Sequence, residues 1–361
     1  MNDWKIFKGL GKESSHEDPL KDLPAPPPWR DFSTWQNRRG RVLRLEAKEI
    51  SMINAALYLR RPLLVTGPAG CGKSSIAYAV ATELRLGKVL WWPINSRTSI
   101  SEGLYNYDAV ARLRDANMEH LQIKNILEHQ NIKELLEKLD NHQNIKELLE
   151  KLDNLSDIKN TSCNEQLDPN DIGKYITLGP LGTALLPQQR PKVLLIDEID
   201  KADIDLPNDL LHVLEEGTYE IPELTRIARH KESVEVLTST YEQMTITKGK
   251  VQCNAFPFIV LSSNGERDLP PAFLRRCLRL DLDLPDETKL LEIVNAHMNK
   301  ASSTSNKMDE LVKRFKEKLD KKSHLATDQL LNAAYMVLFG KLPGDKELDD
   351  MVEKLFRDLG R

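Results

Sequence analysis

Short apolar runs ended by polar or turn residues punctuate most of the chain. They are Leu63-Leu64-Val65-Thr66, Val89-Leu90-Trp91-Trp92, Val193-Leu194-Leu195-Ile196, Phe258-Ile259-Val260-Leu261, and Leu278 to Leu282. Runs of this length that are apolar on both faces, with helical patterns between them, predict strands of a mostly parallel sheet covered on both sides. Between the third and fourth, Val234 to Leu237 and Met244 to Thr247 predict a short β-hairpin. Helical spacing of Ile50, Ile53 and Leu57 predicts a helix from Glu46 to Leu59, and a second is expected from Ser75 to Leu84.

After Asp286 the strand pattern stops. Leu290, Leu291, Val294 and Met298 form one helical stripe, and Met308, Leu311, Val312, Phe315 and Leu319 form another. Two more helices are expected, Leu325 to Phe339 closed by Gly340 and Leu348 to Leu359 closed by Gly360. The pattern divides the chain into an extension over residues 1–40, an α/β core over 41–285 and a helical domain over 286–361. Within the extension, Leu23-Pro24-Ala25-Pro26-Pro27-Pro28-Trp29 predicts a polyproline II stretch, read as a stiff spacer in preference to a peptide ligand.

Within the core an insert over about 119–160 contains a tandem duplication. His129 to Asn141 recurs residue for residue as His142 to Asn154. Ile132, Leu135, Leu136 and Leu139 give each copy a helical stripe, and Asn131/Glu134 and Asn144/Glu147 resemble capping boxes. The step between copies turns a helix by about 220° beyond whole turns. Two short helices therefore fit better than one. A recent duplication in a tolerant surface insertion accounts for this, and a docking hairpin for a partner is the alternative.

Composition narrows the class. The 361 residues are 40% hydrophobic and 29% charged, with a net charge of −4, which allows about two domains and a sizeable core. No apolar run approaches the roughly 20 residues that span a bilayer, so no membrane partner is expected. The start, Met1-Asn2-Asp3-Trp4-Lys5, lacks a signal-peptide pattern. Four cysteines, Cys71, Cys163, Cys253 and Cys277, show no metal-site spacing and fit a reducing cytoplasm. The acidic balance argues against a non-specific nucleic-acid binder.

Chemistry concentrates in four places. Gly67-Pro68-Ala69-Gly70-Cys71-Gly72-Lys73-Ser74 matches G-x-x-x-x-G-K-[ST] in full, after a predicted strand and before a helix that opens at Ser75. Glycines let backbone N–H groups approach phosphates, Lys73 can reach the β- and γ-phosphates of ATP, and the Ser74 hydroxyl can bind Mg²⁺. The strand Val193 to Ile196 ends in Asp197-Glu198, which would hold Mg²⁺ and polarise an attacking water respectively. Leu261-Ser262-Ser263-Asn264 ends a third strand, and Asn264 can position that water or cap a turn. Arg275 and Arg276, before the last strand, are a solvated helix end or fingers that stabilise charge on a transferring phosphoryl group.

The order of these elements resembles the AAA+ ATPases and, within them, the MoxR-like and dynein-related branch. The supporting stretches are Gly179-Pro180-Leu181-Gly182-Thr183-Ala184-Leu185, Asp197-Glu198-Ile199-Asp200-Lys201-Ala202-Asp203, Ser263-Asn264-Gly265-Glu266-Arg267 and Pro271-Ala272-Phe273-Leu274-Arg275-Arg276. Their likeness covers roughly Val42 to Phe339. It implies an α/β P-loop NTPase core with a five-stranded, mostly parallel sheet, a C-terminal all-α lid, and ATP between them. It also implies ring assembly, usually hexameric, Asn264 as first sensor, Arg276 with Arg275 as arginine finger, and a companion with a von Willebrand A domain. The family's lid often carries an arginine early in its third helix, where Asp328 stands in Leu325-Ala326-Thr327-Asp328-Gln329. Three functions remain in contention: a remodelling ATPase, a slow nucleotide-gated switch, and, behind both, a nucleic-acid-associated motor. The sequence shows no guanine-reading Asn-Lys-x-Asp after the core, which favours ATP over GTP only weakly.

Overall fold

The computed structural model describes residues 6, 20, 21, 23–31, 43–118, 172–298, 305–321, 325–339 and 345–357. The duplicated insert and the closing glycines Gly340 and Gly360 lie outside the described residues.

In chain order the elements begin with α1 (Ala47–Leu59), β1 (Leu63–Thr66), α2 (Ser75–Glu83), β2 (Leu90–Pro93), α3 (Ile100–Leu104), β3 (Tyr105–Tyr107), β4 (Ile176–Leu178) and α4 (Pro180–Ala184). Next come β5 (Val193–Asp197), α5 (Asp205–Glu216), β6 (Thr218–Glu220), α6 (Pro222–Ile227), β7 (Ser233–Leu237), β8 (Gln243–Thr247), β9 (Lys250–Gln252) and β10 (Phe258–Ser263). The chain then runs through α7 (Pro271–Leu274), β11 (Leu278–Asp281), α8 (Glu287–Met298), α9 (Ser305–Asp320), α10 (Thr327–Phe339) and α11 (Asp345–Leu355). They fall into two compact units. One holds residues 1–100, 184–217 and 253–361, and the other 101–183 and 218–252.

In the first unit the five apolar runs form one all-parallel sheet, ordered β11-β1-β10-β5-β2. Its central strands are buried on both faces, as their unbroken apolar character requires. β10 continues past the apolar run through Ser262 and Ser263, both buried, because Thr66 and Val65 of β1 pair with them. Ile76, Ala77, Val80 and Ala81 of α2 pack with Leu63, Val65, Val193, Leu195 and Val260 of the sheet in one apolar cluster.

Helix α1 sits differently from its predicted stripe. Ile53 and Ala56 are buried, whereas Ile50 is 47% exposed. The inward position on that turn belongs to Glu49. Its carboxylate accepts the N–H of Glu46 at 2.7 Å in a capping box and the Lys289 ammonium at 3.3 Å. A charge-paired carboxylate at the helix start outweighs burying one more isoleucine there.

The helices after Asp286 form as expected and share one core. Leu290, Val294, Leu311, Phe315, Leu330, Ala334, Val352 and Phe356 are its centre, with Phe315 and Phe356 edge to face at 5.2 Å. On its outside, Arg314 of α9 reaches Asp349 (2.6 Å) and Glu353 (3.1 Å) of α11.

The proline-containing segment does more than space. It ends in a 3-10 turn, Pro28–Arg30, that buries Trp29 in this same helical core. The indole N–H donates to Asn332 at 3.3 Å, and the ring packs edge-on against His297 (6.2 Å) and Tyr335 (6.0 Å).

The second unit is a six-stranded mixed sheet, ordered β3-β4-β7-β8-β9-β6. The expected hairpin is its centre: β7 and β8 pair antiparallel with Val234 opposite Ile246. Val234, Val236, Ile246 and Val251 are buried, while the alternate residues of β7 are exposed or partly so. Gly182 has no room for a side chain, since a Cβ would lie 1.9 Å from the Leu104 carbonyl oxygen, and the buried Tyr219 hydroxyl donates to the Gly182 carbonyl at 3.1 Å.

Candidate functional site

Parallel strands of one sheet present their C-terminal ends along a common edge, and a loop that leaves one of them faces the ends of its neighbours. β1 runs straight into Gly67-Pro68-Ala69-Gly70-Cys71-Gly72-Lys73-Ser74, which turns into α2 at Ser75. Gly67 and Gly70 take φ values of +146° and +77°. A Cβ on Gly67 would meet the Leu282 carbonyl oxygen at 2.6 Å, and one on Gly70 the Thr327 nitrogen at 2.7 Å. The loop path is therefore open only to glycine at these two points.

Lys73 is 7% exposed, and its ammonium donates to the carbonyls of Gly67 and Pro68, both at 2.8 Å. The cation thus lies inside the curl of the loop. Cys71 carries a thiol whose pKa burial pushes up, against the lowering effect of Lys73, so it stays protonated at neutral pH.

β5 ends beside this loop. The Ser74 hydroxyl donates to Asp197 Oδ1 at 2.7 Å, and the Ser262 hydroxyl donates to the same oxygen at 2.5 Å. Ser262 also accepts the Glu198 N–H at 2.9 Å, so one buried hydroxyl fixes both acidic residues. The Trp91 indole N–H donates to Asp197 Oδ2 at 3.2 Å although the side chain is 52% exposed. A serine hydroxyl and a carboxylate held at hydrogen-bond distance form a hard, all-oxygen donor pair. That pair fits Mg²⁺, which takes few protein ligands and keeps several waters.

Glu198 adopts a left-handed conformation (φ 61°, ψ 48°) and opens a 3-10 turn, Ile199–Lys201. Its carboxylate accepts the Lys201 ammonium at 2.9 Å, and that bond raises the lysine's pKa. Asp200, in the same turn, is 1% exposed. Its Oδ2 accepts the N–H groups of Asn264 and Glu266, each at 2.9 Å, while Oδ1 has no hydrogen-bond partner among the described residues. An unsatisfied buried polar atom costs about 1–3 kcal/mol, so this carboxylate is held at some expense to stability.

Thus Ser74, Asp197 and Glu198 are linked directly or through Ser262, while Lys73 is bonded within its own loop and Asn264 is held through its backbone N–H by Asp200. The two arginines are not part of that set. Arg275 is exposed, and Arg276 directs its guanidinium to Glu215 of α5 and to the Ala272 carbonyl (3.2 Å). At the start of α10, Asp328 is exposed, and its neighbour Thr327 touches the loop instead, its hydroxyl donating to the Gly70 carbonyl at 2.7 Å.

Sequence reasoning assigned no role to Ser262, Trp91, Asp200 or Thr327. Ser262 carried a signal, a polar residue ending a buried strand. The others required knowledge of which turns and strands meet.

Among the described residues no helix is long and apolar enough to cross a membrane. No curated protein sequence matches the chain. The family model for the AAA domain (Cdc48 subfamily) matches residues 61–319. Among solved structures, one of C. elegans PCH-2 is 12% identical, with a TM-score of 0.37, over 89% of this chain and 71% of that one. A structure of NtrX from Brucella abortus in complex with ADP is 13% identical, with a TM-score of 0.39, over 88% of this chain and 58% of that one.

Proposed function

Because the chain belongs to the AAA domain (Cdc48 subfamily) family of nucleotide-binding ATPases, we propose that it is a Mg²⁺-dependent ATPase of the MoxR-like kind that remodels a partner protein. The observation that carries this reading is the Ser262 hydroxyl, which joins the Asp197 carboxylate to the Glu198 backbone across from Ser74.

In this reading the backbone N–H groups from Gly67 to Ser75 and the α2 N-terminus cradle the phosphates. Lys73 exchanges its bonds to Gly67 and Pro68 for the β- and γ-phosphates of ATP. Ser74 and Asp197 would hold Mg²⁺, which supplies charge neutralisation at the phosphates when bound. Glu198 takes the proton of the attacking water once its carboxylate leaves Lys201, and Asn264 orients that water.

Arg276 belongs to the neighbouring active site in a ring. It is free to act there only after breaking its bond to Glu215, so ring assembly and release of that pair go together. A hexamer, a cytoplasmic location and a companion with a von Willebrand A domain complete the proposal. The helices from residue 286 onward are its lid, on a core over 41–285.

Glu198→Gln tests the reading. It is expected to bind ATP like the parent while turnover falls at least about a hundredfold, as loss of a general base does. Parent-like hydrolysis in that variant would sink the assignment.

A further inference from the structure

The turn that carries Glu198 is tied at one more point, and the tie leads to Asn264. We propose that Asp200 is a positioning residue for ATP hydrolysis, acting through Asn264, an inference that rests on the function proposed above.

Three observations meet at this side chain. Asp200 is buried, yet one of its carboxylate oxygens accepts two N–H groups from a single loop, those of Asn264 and Glu266. The other oxygen has no hydrogen-bond partner among the described residues. A turn that needed only a cap would be served by a smaller group, without taking a carboxylate out of water. What the carboxylate does is clamp the end of β10 to the turn after β5.

The clamp is short and stiff. Asp200 lies two residues after Glu198 in a 3-10 turn closed by the Lys201 N–H to the Glu198 carbonyl at 2.9 Å. On the other side the Gly265 N–H donates to Ser263 Oγ at 3.0 Å, which holds the loop around Asn264. The Asn264 N–H is itself one of the two bonds to Asp200, so a shift of the carboxylate shifts the backbone from which the Asn264 amide projects. Ser262 joins the same two strands one step earlier, at the Glu198 N–H. The acid and the asparagine that must meet one water are thus set by two cross-links, and Asp200 is the one on the asparagine's side.

The test is a double-mutant cycle between Asp200→Ala and Asn264→Ala, with kcat, ATP affinity and thermal midpoint measured for each protein. Asp200→Ala should lower kcat at least about tenfold while ATP affinity stays within about threefold, since the phosphate loop is untouched. Asp200→Asn keeps an oxygen that can accept both N–H groups and should hold kcat within about threefold of the parent. The double variant should fall no further than Asn264→Ala alone, because the two residues act as one unit. Losses that multiply, or a kcat in Asp200→Ala within twofold of the parent, would overturn the proposal. If Asp200→Ala does not fold, Asp200→Ser takes its place in the cycle under the same criteria; its hydroxyl is too short to reach both N–H groups. The Glu198→Gln result separates the two levels: parent-like turnover there removes the parent reading, whereas a blocked Glu198→Gln beside an active Asp200→Ala removes only this one.

Discussion

Thr327 donates its hydroxyl to the carbonyl of Gly70 at 2.7 Å, so the first turn of α10 rests on the middle of the phosphate loop. The approach is close enough that Gly70 cannot carry a side chain without striking the Thr327 backbone. Thr327→Val keeps the shape and deletes the donor, and should cost about 1 kcal/mol of stability, read as a small drop in thermal midpoint. Gly70→Ala strikes a backbone atom in a left-handed conformation and should weaken ATP binding at least about tenfold in a nucleotide titration. A parent-like thermal midpoint in Thr327→Val together with parent-like ATP affinity in Gly70→Ala would show that the contact does not constrain the loop.

Trp91 offers an optical readout of the same site. Its indole N–H is one of three donors on Asp197, and the half-exposed ring senses what happens to that carboxylate. Trp emission should change when Mg²⁺ and ATP are added together, and Trp91→Phe should abolish that part of the change. Deleting the N–H should also raise the Mg²⁺ concentration needed for half-maximal turnover by about tenfold, the lower end of what losing a ligand's hydrogen-bond partner costs. An unchanged Mg²⁺ requirement would mean that Ser74 and Ser262 orient Asp197 unaided.

The parallel sheet was readable because its central strands β1, β5 and β10 are apolar on both faces, and the glycine and lysine spacing after β1 marked the loop from Gly67 to Ser74. Of the second sheet only the β7–β8 hairpin was readable. Tyr105–Tyr107, Ile176–Leu178, Thr218–Glu220 and Lys250–Gln252 are three residues long, too short for an alternation to register, and most of their partners are far off in the chain, as Tyr105 opposite Leu178 and Thr218 opposite Gln252 illustrate. Trp29 looked like the end of a spacer because nothing near it in sequence marks its partners, His297 and Tyr335. Within the site, Asp197, Glu198 and Asn264 stood out as polar ends of apolar strands. The groups that hold them became visible only through register: Leu261 lies opposite Ile196, which brings Ser262 level with Asp197.

That register makes Ser262 the most economical place to separate binding from turnover. Ser262→Ala removes the donor to Asp197 and the acceptor for the Glu198 N–H in one step. It leaves the part-buried Glu198 N–H without this partner, which should destabilise the protein by about 1 kcal/mol. Turnover should fall roughly 10–100-fold, since both acids lose their orientation. ATP affinity should hold, because Lys73 and the loop keep their own bonds. Parallel calorimetric binding and steady-state hydrolysis distinguish the two; a loss confined to binding would place Ser262 outside the catalytic step.

The helical domain should weaken in mild acid through His297. Burial against Trp29 holds its imidazole pKa below 6.5, and the bond between Nδ1 and the Ile293 carbonyl only partly offsets that effect. The folded form therefore gains its proton at lower pH than the unfolded chain does. Well above 6.5 neither state is protonated and the stability contribution is constant. As pH falls from 6.5 toward the folded-state pKa, the unfolded chain binds a proton that the folded one does not, and stability drops by at most about 1.4 kcal/mol per pH unit. His297→Gln, which cannot take up a proton, should lose less thermal stability than the parent between about pH 7.5 and about pH 5.5, the window that brackets an unperturbed histidine. Trp29 emission followed through the same transition would tie the loss to this packing, and equal slopes for parent and variant would assign the acid sensitivity to other groups.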